Sequence, residues 1–276
     1  MKIFALYNIK GGVGKTTMSV NLAYLSAASG ARTLIWDLDS QGSSSFYFCV
    51  KPKVKGGSKN LLSHHNDIDD HLRMTGYPNL DLLPSDLSYR KMDQQIHDMN
   101  HPSRTLKHLV QSVSDDYDHM FLDCPPGLSL VAEQVFQLAD VLLVPLIPTT
   151  LSLRAYNQLV RFLVDHRSKK LRVLPFFTQV NLEKPIHRVV TRNVREQHSV
   201  FLQQMIPDSN LIESMGIKRA PLPTYAREST EVAAFGALWQ EIQSRLSNKT
   251  DNKTDGKADR KDKPADEPSS KKTAKK

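Results

Sequence analysis

The sequence predicts an α/β fold in which a doubly wound, mostly parallel β-sheet is flanked by helices. Short apolar runs recur along the chain as candidate strands, and the segments between them carry apolar residues at helical spacing. The run from Ala139 to Ile147 is almost unbroken in apolar character, which is typical of a strand covered on both faces. This alternation of strands and helices favours a doubly wound parallel sheet.

The candidate elements follow one another closely, except in one long segment. Residues 46–75 are irregular, and we predict a surface insertion with one short helix there. This segment contains His64, His65 and His71 but no cysteine neighbouring them, so a metal cluster is not expected. Strands are predicted at 2–7, 32–36, 79–84, 119–123, 139–147 and 171–180, and helices at 18–29, 87–99, 103–114, 150–163, 184–198 and 228–246, with a further unit at 201–206.

Length and composition separate a folded part from a tail. The chain has 276 residues, enough for one large α/β domain or two small ones, and we predict one domain over residues 1–247. Residues 248–276 contain no Val, Ile, Leu, Met or aromatic residue and carry ten Lys/Arg against six Asp/Glu, so we expect a disordered, lysine-rich tail. The net charge of +8 favours a polyanionic partner, either nucleic acid or an anionic membrane.

Cysteine usage and the termini bear on the compartment. Cys49 and Cys124 are far apart and lack C-x-x-C spacing, so neither a disulfide framework nor a metal cluster is expected. The first residues lead directly into a strand, which leaves no room for a signal peptide, and the longest apolar run is far shorter than a membrane span. We therefore expect a cytoplasmic protein.

A glycine-rich loop between the first strand and the first helix is the main functional signal. It runs from Asn8 to Thr17, and its glycines allow backbone N–H groups to approach a phosphate chain closely. Lys15 can then place a charge on the β- and γ-phosphates, Thr16 can offer a hydroxyl to Mg²⁺, and the helix N-terminus adds partial positive charge. The alternative is a glycine-rich turn with two solvated lysines, but the flanking strand and helix favour a phosphate loop.

Two further strands end in carboxylates. Asp37 and Asp39 follow the second strand, and Asp123 ends the strand over residues 119–123, just before a Pro-Pro-Gly turn. Ligands of open parallel sheets lie beyond the carboxyl ends of the strands, so these acids should face the same crevice as the glycine loop. The alternative for Asp39 is an Asx turn or a helix cap.

The loop resembles the deviant Walker A motif, K-G-G-x-G-K-[ST], of the ParA/MinD family of ATPases. Residues 9–16 match it at every fixed position, with Ile9 where the common phosphate loop has its first glycine. The D-L-D-S-Q-G segment at 37–42, the D-C-P-P-G turn at 123–127 and the segment Tyr225–Ser229 extend the resemblance, which spans residues 1–246. It implies a P-loop NTPase fold and Mg²⁺-dependent hydrolysis of ATP.

The resemblance also implies roles for individual residues. Asp39 would orient the attacking water, Asp37 would support the metal shell or the loop, and Asp123 would hold Mg²⁺ together with Thr16. Lys10 would reach across an ATP-bound dimer to the partner's γ-phosphate, as an arginine finger does. Asn181 and Pro221 would lie near the adenine, although each residue taken alone is more typical of a turn. The predicted nucleotide contacts are Gly11, Gly12, Val13, Gly14, Lys15, Thr16, Thr17, Asn181 and Pro221.

The partner is inferred from what the tail lacks. MinD-like members usually end in an amphipathic membrane-targeting helix, whereas this tail has charges and no apolar face, so stable membrane insertion is not expected. Resemblance to ParA-like members implies nonspecific DNA binding, a homodimer when ATP is bound, a ParB-like or adaptor protein that stimulates hydrolysis, and association with the nucleoid. Candidate DNA contacts are Arg192, Arg195, Lys218, Arg219, Lys271, Lys272, Lys275 and Lys276.

Two sequence features bear on the inference of a DNA partner, and two alternative functions are considered beside it. An arginine that many chromosomal ParA proteins carry after their I-P segment is Leu211 here, so the DNA surface cannot be transferred residue by residue. No helix-turn-helix segment precedes the ATPase segment, which argues against a sequence-specific repressor. The alternatives are a membrane-surface regulator of the MinD or flagellar-placement type, and a metallocluster carrier, which would need bridging cysteines.

Overall fold

A seven-stranded sheet forms the centre of the protein. The computed structural model describes residues 1–63, 68–99, 105–167 and 170–247. The strands are β1 (Lys2–Leu6), β2 (Thr33–Asp37), β3 (Arg73–Met74), β4 (Leu80–Leu83), β5 (His119–Asp123), β6 (Val141–Leu146) and β7 (Arg172–Phe177). Their order in the sheet is β3-β4-β2-β5-β1-β6-β7, and all neighbours are parallel except β3 and β4.

Helices cover both faces of this sheet. The α-helices are α1 (Lys15–Ala28), α2 (Ser43–Tyr47), α3 (Gly57–Leu62), α4 (Met92–His97), α5 (Thr105–Ser112), α6 (Leu130–Leu138), α7 (Thr150–His166), α8 (Pro185–Gln197), α9 (Asn210–Glu213), α10 (Met215–Lys218) and α11 (Thr230–Ser247). Short 3₁₀ helices occupy Ile68–His71, Leu87–Lys91 and Leu222–Thr224. The predicted α/β fold with a doubly wound, mostly parallel sheet is confirmed.

Alternation along β1 divides the core into two layers. Phe4 and Leu6 pack on the side of α1 and α11, where Trp239 stacks at an angle on Phe4. Ala5 and Tyr7 pack on the opposite side with Phe136 of α6. Each buried side chain of this size contributes roughly 1.5–3 kcal/mol, so the central strand is fixed from both faces.

The strand register brings the candidate site together. Leu6 and Asp37 are each paired with Asp123, on the two sides of β5. The loop after β1 and the carboxylates that end β2 and β5 therefore lie at one edge of the sheet. This is the edge where parallel α/β sheets bind ligands.

Some elements differ from the sequence prediction. Residues 46–75 contain the end of α2, all of α3, a 3₁₀ turn and the edge strand β3, whereas one short helix was predicted. Helix α6 was not predicted, and the segment predicted as one helix at 87–99 is a 3₁₀ helix followed by α4. Residues 201–206 form no helix or strand; their N–H groups at Leu202 and Ile206 donate to carbonyls of β7.

Three sequence predictions concern residues outside the described ranges. The tail at 248–276, the histidines His64 and His65, and the first residues of the helix predicted at 103–114 lie there. Among the residues that the structure does describe, no helix has both the length and the apolar character needed to cross a membrane.

Candidate nucleotide site

The glycine loop opens directly into α1. Gly12 and Gly14 have φ angles of +73° and +86°, a region that residues with a Cβ rarely adopt, so both positions require glycine. Side chains that follow β7 hold the loop from behind: Thr178 Oγ1 donates to the Val13 carbonyl at 2.9 Å, and Gln179 Nε2 donates to the Gly12 carbonyl at 2.8 Å. The first N–H groups of α1 remain available to an anion.

Lys15 lies inside the site. It is 7% exposed, and its ammonium donates to the Lys10 carbonyl at 3.3 Å. Burial lowers the pKa of Lys15, while Asp123, Cys124 and Asp39 act in the opposite direction. A buried ammonium that donates to one carbonyl is well placed to donate to a phosphate oxygen as well.

Lys10 differs from Lys15 in its surroundings. Its backbone N–H donates to Asn8 Oδ1, which fixes the start of the loop, and the residue is half-exposed. Within the described ranges its ammonium forms no ion pair. Lys15 therefore lies in the interior of the site, and Lys10 lies at its surface.

Two buried carboxylates stand behind the loop. Asp37 is fully buried; its Oδ2 accepts bonds from the Ser45 N–H at 2.8 Å and the Ser45 hydroxyl at 2.7 Å. Asp123 accepts from the Ser19 hydroxyl at 3.1 Å and the Ser44 hydroxyl at 2.7 Å. Burial is the main cause that raises the pKa of both acids, so removing them from water without a cation is unfavourable.

The donor set fits Mg²⁺. Asp37 Oδ1 is buried and has no hydrogen-bond partner in the described part of the chain. Asp123 also interacts with the hydroxyl of Thr16, at the start of α1. Carboxylate and hydroxyl oxygens of this kind are the ligands that Mg²⁺ prefers.

Asp39 lies at the rim of an opening of about 340 Å³. It is half-exposed, its Oδ1 accepts from the Gln41 N–H at 3.0 Å, and its carbonyl accepts from the Ser85 hydroxyl. One carboxylate oxygen thus has a protein partner while the side chain borders the opening. The other residues that line it are Gly11, Gly12, Gly14, Lys15, Thr16, Thr17, Pro126 and Gln179.

A second opening of about 340 Å³ begins at the same loop, and Asp37, Asp39 and Asp123 do not line it. Its lining mixes polar groups with apolar side chains and the ring of Tyr47, a combination that suits a nucleobase. Gly14, Thr17 and Gln179 line both openings. The remaining lining residues are Met18, Tyr47, Thr178, Ile206, Pro207, Asp208, Ser209, Ile212 and Glu213.

Two predicted adenine neighbours, Asn181 and Pro221, do not line either opening. Asn181 lines neither opening; its N–H donates to His187 Nδ1 and its Oδ1 accepts from the Glu183 N–H, which is an Asx turn. Pro221 also lines neither opening, and its carbonyl accepts from Thr224. Pro207 lines the second opening and is not among the predicted contacts, although the rule that ligands lie beyond strand ends points to the segments near the end of β7.

The predicted DNA contacts differ in availability. Arg192 and Lys218 are exposed. Arg195 is tied to its own helix and a neighbouring loop, since its guanidinium donates to the carbonyls of Thr191 and Gln203. Arg219 lies 4.5 Å from the ring centroid of Phe46 and donates to its carbonyl. Lys271, Lys272, Lys275 and Lys276 lie outside the described residues.

A phosphate-binding turn at a helix start, with strand-end carboxylates behind it, is how phosphate-loop nucleotide-binding proteins are built. That is the class that the fold and the site define. The family model described as "AAA domain" matches residues 1–174. The chain belongs to the ParA/MinD family of ATPases.

Curated relatives support this assignment over part of the chain. The chain is 31% identical to the sporulation initiation inhibitor protein Soj of Bacillus subtilis over 176 residues, which cover 62% of this chain and 70% of Soj. It is 32% identical to the virulence plasmid ParA family protein pGP5-D of Chlamydia psittaci over 59% of this chain and 63% of that protein. It is 29% identical to the chromosome partitioning protein ParA of Caulobacter vibrioides, over 58% of this chain and 61% of that protein.

Solved structures show the same fold over a longer stretch. Apo McdA of Cyanothece superposes with a TM-score of 0.75 at 18% identity, over 88% of this chain and 99% of McdA. A plasmid partition protein of Borrelia burgdorferi bound to AMPPNP superposes with a TM-score of 0.77 at 20% identity, over 88% of this chain and 99% of that protein. Cobyrinic acid a,c-diamide synthase of Mycobacterium smegmatis, with bound ADP and magnesium, superposes with a TM-score of 0.75 at 22% identity, over 90% of this chain and 96% of the synthase.

Proposed function

We propose that this protein is an ATP-dependent positioning ATPase. Two ATP-bound copies dimerise, bind DNA without sequence specificity, and position or segregate a cargo such as a plasmid, a chromosome or a large protein assembly. A partner protein of the ParB or adaptor type stimulates hydrolysis and so releases the DNA. The proposed location is cytoplasmic and nucleoid-associated.

The contrast between Lys10 and Lys15 carries this proposal. Lys15 is buried in the phosphate site, whereas Lys10 is half-exposed and its ammonium has no ion-pair partner in the described ranges. A second cation crowded into the same pocket would be repelled by the first. Lys10 is better used across an interface, on the nucleotide of a second subunit.

The remaining roles follow from the geometry of one subunit. The N–H groups at the start of α1 and Lys15 bind the β- and γ-phosphates. Thr16, Asp37 and Asp123 would hold Mg²⁺, which supplies charge neutralisation between the phosphates when it is bound. Asp39, at the rim of the opening, orients the water that attacks the γ-phosphate.

The test is DNA binding in three nucleotide states. Retention on a duplex is measured with ATP, with ADP and without nucleotide, at increasing salt. The proposal predicts tight, salt-sensitive retention with ATP and weak retention in the other two states. Equal retention in all three states refutes the nucleotide switch. Sedimentation with anionic vesicles and no DNA retention would favour the membrane-surface alternative.

A further inference from the structure

The segment after Asp39 has an unusual charge distribution. No Asp or Glu occurs from Ser40 to Asn66, and four lysines lie in a span of nine residues. We call residues 51–59 the lysine loop. Its four lysines, Lys51, Lys53, Lys55 and Lys59, are all exposed.

The backbone of the lysine loop is fixed to the domain. A Cβ at Gly42 would lie 2.9 Å from the Pro52 side chain, so Pro52 packs directly on the turn before α2. Val54 is 2% exposed, and its N–H donates to Asp86 Oδ2 at 3.0 Å. The packing of Pro52 and the burial of Val54 attach the loop to the domain. The exposed lysines on either side of Val54 are therefore held close together at the surface.

The anchors of the lysine loop lie next in sequence to residues that contact the nucleotide site. On one side, Gly42 precedes α2, whose Ser44 and Ser45 donate to the two buried carboxylates. On the other side, Ser85 donates to the Asp39 carbonyl, and the next residue, Asp86, accepts from the loop. A displacement of Asp39 or of the two buried carboxylates would therefore be transmitted to the lysine loop through these hydrogen bonds and the residues next to them in sequence.

Arg219 joins the same surface from the other end of the chain. Its guanidinium covers one face of the Phe46 ring, and its Nε donates to the Phe46 carbonyl at 3.2 Å. Cys49, two residues before the lysine loop, approaches the Arg219 carbonyl at 3.7 Å through its Sγ. The predicted DNA contact Arg219 thus lies next to α2 and the entry to the lysine loop.

We propose that the lysine loop, together with Arg219, binds the phosphate backbone of duplex DNA and forms part of the nucleotide-responsive DNA surface. This inference rests on the proposed function and names the surface that performs it. Ammonium groups contact phosphates as point charges and need no base-reading geometry. Val54 is buried, and the exposed apolar residue of the loop is the small Pro52, which packs on the Gly42 turn, so the loop presents no bulky apolar side chain for insertion into a lipid surface.

The test compares two triple variants that remove equal charge. The first is Lys51→Gln/Lys53→Gln/Lys55→Gln, and the control is Lys2→Gln/Lys107→Gln/Arg161→Gln, whose three positions are exposed on β1, α5 and α7. Affinity for two duplexes of unrelated sequence is measured with ATP across a salt series. A fluorescent ATP analogue checks that both variants still bind nucleotide.

The inference predicts a fall in affinity of roughly tenfold or more for the loop variant on both duplexes, with near wild-type affinity for the control. The slope of log affinity against log salt should become shallower by about 1 for each lysine that contacts a phosphate. Equal behaviour of the two variants on DNA that the wild type binds overturns the inference and leaves the proposed function standing. A wild type that binds no DNA in any state overturns both.

Discussion

Asp37 and Asp123 occupy paired positions at the ends of neighbouring parallel strands, and consecutive serines of one short helix bond them. Ser45 donates to Asp37 and Ser44 to Asp123. Two carboxyl groups that repel each other when both are ionised are thus buried side by side, and one oxygen of Asp37 has no partner in the described ranges. The arrangement is unfavourable by itself and becomes favourable when a cation is bound.

Asp37→Asn should therefore change stability in opposite directions without and with the metal. Without Mg²⁺, removal of one buried charge should raise the free energy of unfolding by on the order of 1 kcal/mol. With Mg²⁺ and a nonhydrolysable ATP analogue, the wild type should gain more stability than the variant, since it binds the ligands better. Urea unfolding in both conditions measures this, with Asp70→Asn, on an exposed 3₁₀ turn, as the control. Equal gains from Mg²⁺ would remove Asp37 from the metal site.

Asp39→Ala should slow ATP hydrolysis without loss of ATP binding. The side chain borders the phosphate opening, and truncation removes the water-orienting group together with one bond to the Gln41 N–H. The Asp39 carbonyl still accepts from the Ser85 hydroxyl and the Gly42 N–H, which should hold the backbone in place. A loss of about 10²-fold in the hydrolysis rate is expected. Steady-state phosphate release and a nucleotide titration provide the two readouts. Hydrolysis at the wild-type rate would assign the water-orienting role to another group.

Ile212→Trp should obstruct the second opening and weaken ATP binding selectively. Ile212 lines that opening and does not line the phosphate opening. Calorimetry should show roughly tenfold weaker ATP binding, a loss of about 1.4 kcal/mol, with tripolyphosphate binding unchanged. Leu182→Trp, at a position that is 52% exposed, is the matched control. If ATP binding is unaffected, the base lies elsewhere, and Asn181 and Pro221 remain the candidates to test.

His187 should make stability depend on pH. Its Nδ1 accepts the Asn181 N–H at 3.0 Å, which requires the unprotonated nitrogen. Burial lowers the pKa of His187, as does Lys184, while Asp208 opposes them. For a histidine with a lowered folded pKa, stability is present above the unfolded value of about 6.5 and falls as the pH drops below it.

His187→Asn keeps an acceptor and cannot be protonated there. Its free energy of unfolding should rise relative to the wild type as the pH falls from 7.5 to 5.5, as measured by urea unfolding. His97→Asn, at an exposed site on α4, controls for loss of an imidazole. A constant difference between wild type and His187→Asn across this range would contradict the assignment.

The sequence predicted the sheet and the loop because their signals are local. Strand β1, Gly12, Gly14 and the start of α1 lie within one short stretch, and each position has a steric or electrostatic reason for its residue type. Asp123 was found for the same reason, since an apolar run ends in a single acid. The register that pairs Asp37 with Asp123 then follows from strand order.

Other features depend on contacts that sequence spacing does not reveal. Edge strand β3 has two residues and pairs with β4 through tertiary context, so no periodicity marks it. Pro207 and Tyr47 meet at one opening although they are far apart in sequence. Arg219 is predicted as a DNA contact from its charge, and its ring contact with Phe46 could not be predicted from sequence spacing.

The central claim is that ATP joins two copies through Lys10. Light scattering of the wild type with Mg²⁺ and a nonhydrolysable ATP analogue should give twice the subunit mass, and one subunit mass without nucleotide. Lys10→Ala should bind the analogue yet remain a single subunit, whereas Lys15→Ala should fail to bind it. A single subunit mass for the wild type in both conditions, at saturating analogue, would contradict the account.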